Sequence, residues 1–110
     1  MKIGFCLPRT IDGDEIKRFA QSLEDFEFES IWTEDRLIIS TAKINQYPYS
    51  KDGSLPVPPE MPFLDILTVL TYIAACTTSI KVGSTVVIVP NRNPILQAKI
   101  FATMDVLSKG

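Results

Sequence analysis

The sequence predicts an α/β fold with a parallel sheet, and two observations lead there. Strand-like and helix-like segments alternate along the chain, and Val86, Val87, Ile88 and Val89 are consecutive apolar residues. Alternation calls for right-handed crossovers between neighbouring parallel strands. An unbroken apolar run is what a strand shows when both of its faces are covered.

Taken in order, Lys2–Leu7 is a short apolar run stopped by Pro8, which reads as a strand. Asp12, with Glu15 three places on, resembles a capping box, and Ile16, Phe19, Ala20, Leu23 and Phe26 then form one helical stripe. Ser30–Thr33 is a second strand and carries the only tryptophan, Trp32. Residues 34–60 form a long connection, rich in Pro, Ser, Tyr and Lys, with one short helical turn expected near Leu37–Thr41. Connections of this length in a compact domain are often functional. Pro62 suits a first helical position, followed by the stripe Ile66, Leu67, Leu70, Ile73, Ala74. Ser79–Val89 reads as the third and longest strand. Asn93 and Pro94 then have the signature of a helix start, and Gly110 that of a position just past its end.

Composition narrows the function classes. The chain has 110 residues, enough for one domain, and its 45% hydrophobic and 22% charged content is that of a globular protein. A net charge of −2 with scattered basic residues gives no case for a nucleic-acid partner. No apolar run is long enough to span a bilayer, and the N-terminus turns acidic too early for a signal peptide, so a cytoplasmic protein is expected. Cys6 and Cys76 lack metal or redox spacing and are expected as small buried hydrophobes. There is no histidine, so nucleophile–histidine chemistry and histidine-ligated metals are excluded within the chain.

Parallel strands bring their carboxyl ends to one edge. That edge receives Leu7-Pro8-Arg9, Thr33-Glu34-Asp35-Arg36 and Pro90-Asn91-Arg92-Asn93, and it is where α/β folds place their ligand crevice. Asp35 and Arg36 are the first polar pair offered to such a crevice. The alternative is a local Asp35–Arg36 ion pair or a turn cap. Arg92 is a possible ligand contact, and Trp32 reads as core more than as a ligand platform. Tyr47 and Tyr49 belong either to a lid or to loop packing. A dinucleotide-binding fold fits the element order, but Leu7-Pro8-Arg9-Thr10 stands where its glycine-rich turn belongs.

The segments SIWTEDRL and LDILTVLTYIAACTTSIKVGSTVVIVPNRNPILQAKIFATMDVLSKG resemble the bacterial luciferase-like monooxygenase family. The matching patterns are a W-x-x-D-H/R motif, an LD-x-L helix, a strand with G-T-x-V character and an NP-x-x-x-A-K helix. The resemblance covers nearly the whole chain. It implies a TIM (β/α)8 barrel, of which these residues form the first three βα units, so the chain is expected to be an N-terminal segment. It also implies a flavin at the carboxyl edge, FMN or alternatively coenzyme F420, and a small organic substrate. Carried over by position, Asp35 lines the cofactor pocket and Arg36 replaces a histidine proton donor, these two being the expected catalytic pair. Ser84, Thr85, Val86 and Ile88 would hold the cofactor with Asp35, around a non-prolyl cis peptide at Thr85–Val86. With most of the barrel absent, the chain alone is expected to be inactive, to bind no flavin if truncated, and to form a homo-oligomer. The competing expectation is a truncated, non-catalytic homologue that self-associates or binds a partner.

Overall fold

The computed structural model describes residues 1–39, 47–54, 57–58 and 60–110. Strand β1 (Gly4–Cys6) leads to helix α1 (Gly13–Asp25), strand β2 (Ser30–Thr33), helix α2 (Ile66–Cys76), strand β3 (Lys81–Ser84), a 3₁₀ turn at Val89–Asn91 and helix α3 (Pro94–Ser108). The three strands form one parallel sheet in the order β1-β2-β3, pairing Cys6 with Trp32 and Trp32 with Gly83. The expected alternation and strand direction are both present.

Each helix starts where its sequence supplies an oxygen for the free amides of the first turn. Asp12 Oδ1 accepts from the amides of Asp14 (2.8 Å) and Glu15 (3.2 Å), and both acidic residues suit the positive helix end. Glu15 does not reach back to the Asp12 amide, which donates to Thr10 Oγ1 (3.2 Å), while the Thr10 hydroxyl donates to Glu15 (2.6 Å). Asn93 Oδ1 caps α3 through the amides of Ile95 (3.0 Å) and Leu96 (3.2 Å), with Pro94 next in line as expected. At the far end of α3, Lys109 and Gly110 turn left-handed, with φ of 68° and 98°. Helix α2 starts later than Pro62 suggested. Asp65 is its cap, accepting from the Thr68 amide at 3.0 Å, and Pro62 lies before the helix, outside any regular element.

The core lies between the helices and one face of the sheet. Ile16, Ala20 and Leu23 from α1, Ile31 from β2, and Val69 and Ile73 from α2 make one cluster with Ile80. Each isoleucine, leucine or valine among them stabilises the fold by about 1.5–3 kcal/mol through lost water contact. Ile66, Leu67 and Leu70 form a second cluster, covered by Ile100, Phe101 and Met104 of α3. Phe26, expected in the α1 stripe, falls just past the helix end and is exposed. Cys6 is exposed rather than buried, because its strand position faces away from the helices; Cys76 is half-buried.

Strand alternation puts Trp32 on that opposite face, since its neighbour Ile31 is fully buried in the helix-side core. The indole is half-buried, lies between Gly4 and Gly83, and donates from Nε1 to Ser30 Oγ at 2.8 Å. A Cβ at either glycine would come within 2.6–2.7 Å of the ring. The bulky residue on the central strand therefore needs hydrogen side chains on both neighbours.

The third strand is shorter than its apolar run suggested. Its last ladder bond runs from the Thr85 amide to the Thr33 carbonyl, 2.9 Å, and the chain then leaves the sheet. Val86 and Val89 are exposed, so the run is not a strand covered on both faces. Residues 37–39 carry no helical turn; Ser40 and Thr41, the rest of that expectation, lie outside the described residues. Tyr47 and Tyr49 pack edge to face on each other, centroids 5.6 Å apart. No helix among the described residues is long and apolar enough to cross a membrane.

Candidate functional site at the carboxyl edge of the sheet

The connections that leave the carboxyl ends of the strands run through residues 7–12, 34–65 and 85–93, and the expected site residues lie at the starts of the last two. Asp35, two positions past β2, is buried, its side chain only 1% exposed. Its partner is Arg92, not the adjacent Arg36. Arg92 donates from Nη1 to Asp35 Oδ2 (2.5 Å) and from Nη2 to Asp35 Oδ1 (2.9 Å). Asp35 Oδ2 also accepts the Ile88 amide at 2.9 Å. Arg92 Nη2 reaches on to Asp65 Oδ2 at 2.8 Å, so one guanidinium joins two carboxylates. Arg92 holds the Asp35 carboxyl below the usual range; burial opposes this and the Ile88 amide supports it. At Asp65, burial opposes the charge, and Arg92 and the Thr68 amide outweigh it, so that carboxyl is also held low. The two carboxylates in turn raise the Arg92 pKa.

Ser84 closes β3, Thr85 and Val86 follow as exposed residues, and the peptide between them is cis, as the resemblance implied. Ile88 is exposed at its side chain while its amide is held by Asp35. The structure thus joins Asp35 to the 84–88 segment directly. Arg36 stands apart from that contact. It is half-buried, its guanidinium carbon 5.8 Å from the centre of the Phe63 ring, and its Nε is buried without a partner among the described residues. Arg9 approaches the same ring at 5.5 Å and pairs with Glu34 at 2.8 Å. These two arginines place positive charge against one aromatic ring.

Two residues of the cluster escape sequence reading. Arg92 is visible there only as a possible ligand contact, and Asp65 only as part of the LD-x-L pattern, with no role assigned. The cap signature of Asp65 with Thr68 is local and legible, but its meeting with Arg92 depends on how α2 packs beside β3. A small cleft of about 40 Å³ opens among Leu7, Arg9, Glu34 and Phe63 at this edge. The larger concavity, about 620 Å³, lies elsewhere, beside β3 between Ser79–Val82 and Phe101, Met104 and Ser108 of α3. It is an open groove along the free side of an edge strand and contains none of the site residues. No group of three or more potential metal ligands occurs among the described residues.

A family model described as luciferase-like monooxygenase matches residues 1–110. The chain belongs to that family. No curated protein matches it significantly. For a luciferase-like chain, the cluster at Asp35 and the 84–88 segment occupy the edge at which a parallel α/β sheet offers its ligand crevice.

Proposed function

We propose that this chain supplies the first three βα units of a (β/α)8 barrel and, with them, part of the flavin site of an oxidoreductase or monooxygenase. The observation that carries the reading is the 84–88 segment at the carboxyl edge, hydrogen-bonded to Asp35, in a luciferase-like chain. The residues fit a flavin. Exposed Val86 and Ile88 offer an apolar surface for a flat ring, and Ser84 and Thr85 bring hydroxyls beside it. Reduced FMN, or F420 as the alternative, supplies the hydride transfer or oxygen activation when bound. Arg36 acts by charge on an anionic group.

The test is a titration of the full-length protein with FMN and with F420, read as quenched cofactor fluorescence. Saturable binding of either is expected. No binding at high micromolar cofactor would reject the reading. A second reading, a self-associating module without catalysis, is favoured by Ile95, Leu96, Val106 and Leu107, all more than half exposed on α3.

A further inference from the structure

We propose that Arg92, together with Asp35 and Asp65, is a positioning clamp that fixes the 85–88 backbone as a wall of the cofactor site, and that Asp35 is an anchor, not a proton carrier. The proposal rests on the flavin reading above for the identity of the ligand, and on geometry for the clamp.

Both oxygens of Asp35 are already in use. Oδ2 takes the Ile88 amide and Arg92 Nη1, and Oδ1 takes Arg92 Nη2. With 1% of its side chain exposed, Asp35 has no free oxygen turned to a substrate or to water. A general acid or base must reach the proton it transfers, and this carboxylate does not. What it does reach is the backbone of the exposed segment.

Arg92 makes the hold firm. Its side chain is 12% exposed, and it contacts carboxylates from two other parts of the chain, one just after β2 and one capping α2. The corner before α3, the end of β2 and the start of α2 are thereby tied to one planar group. Lysine does not replace it, because an ammonium lacks the fork that pairs with one carboxylate in two places while reaching a second. The clamp leaves Thr85 and Val86 outside, exposed and available to a ligand.

The experiment compares full-length wild type with Arg92→Ala, Arg92→Lys and Asp65→Asn, the last keeping a capping oxygen while losing the ion pair. Three readouts are taken: FMN affinity, the visible spectrum of bound FMN, and hydrogen exchange at the Ile88 amide. Arg92→Ala is expected to weaken FMN binding about tenfold to a hundredfold, as a small misplacement of a positioning surface does. It also alters the FMN band and speeds Ile88 exchange, and Arg92→Lys follows it in all three. Asp65→Asn changes affinity by about threefold or less, since that pair is partly exposed. Unchanged FMN affinity and spectrum in a folded Arg92→Ala or Arg92→Lys protein overturn the proposal, as does unchanged Ile88 exchange. If wild type binds neither FMN nor F420, the flavin reading falls separately; where FMN in particular does not bind, Ile88 exchange alone decides the clamp: acceleration upholds it, no change overturns it. Should Arg92→Ala fail to fold, Arg92→Lys is read in its place.

Discussion

Trp32 shows what a single side chain demands of its neighbours. The indole lies between two glycines, and a Cβ at Gly83 would sit 2.7 Å from Cζ3 and 2.8 Å from Cε3. Both clashing atoms belong to a rigid ring on the central strand, so the ring must tilt or the strands must part. Gly83→Ala is expected to cost about 1–3 kcal/mol by overpacking. Since Trp32 is the only tryptophan, its emission reports the displacement directly, and an unshifted spectrum with an unchanged melt would refute this account. The residue scale is also where sequence reading reached least far. Asp35 was legible as a carboxylate at the sheet's carboxyl edge because it follows a strand. Its partner was not, because Arg92 is 57 positions away and only the packed fold brings the two together. Trp32 was expected in the core; its real place, half-buried on the helix-free face, depends on strand alternation and on glycines from two other strands.

Between elements, the amino edge of the sheet is stapled as firmly as the carboxyl edge. Glu24, in the last turn of α1, receives the amides of Thr78 (2.8 Å), Ser79 and Ile80 (3.0 Å) on one oxygen, with the Ser79 hydroxyl at 2.8 Å. It thereby binds α1 to the connection between α2 and β3. Burial works against the charge, but the Thr78 amide, the Ser79 hydroxyl and the Ser79 and Ile80 amides outweigh it and hold the carboxyl at about 2, from 4.5. Between those values the unfolded chain binds the proton more readily than the folded one. Stability from this staple is therefore complete above pH 4.5 and is lost as pH falls towards 2. Urea melts at pH 7, 4.5 and 3 are expected to show this loss in wild type and a shallower one in Glu24→Gln. Glu24→Ala is expected to lose about 1–2 kcal/mol at pH 7 by removing the acceptor altogether. An acid slope identical in wild type and Glu24→Gln would show that the staple is not ionic. At this scale the sequence was most legible for α1 and α3, whose caps are local. It misled at β3, where an apolar run continues past the point at which Ile88 turns its amide to Asp35.

At the scale of the molecule, α3 sets the expectation for assembly. Only Gln97 of its residues is buried, while Ile95 and Val106 are 81% and 75% exposed. Beside it, β3 is an edge strand of the sheet. An open strand edge presents unpaired backbone groups that favour pairing with another chain. The 110-residue chain is therefore expected to associate at micromolar concentration in sedimentation velocity, and Leu96→Lys with Val106→Lys to shift it towards monomer. A concentration-independent monomer in wild type would remove the self-associating reading. The fold class was legible here because alternation of segments is a property of the whole chain, unaffected by the errors at single boundaries.

The uneven spacing of the connections has a consequence for how such a chain diversifies. Between α1 and β2, and between α2 and β3, only 26–29 and 77–80 intervene, whereas 34–65 separate β2 from α2. Most of this length therefore hangs from one rim, and the described residues of 34–60 contribute no strand to the sheet. A lineage can rewrite or lengthen that loop while inheriting the same ladder, core and caps, so descendants can part in specificity long before they part in architecture.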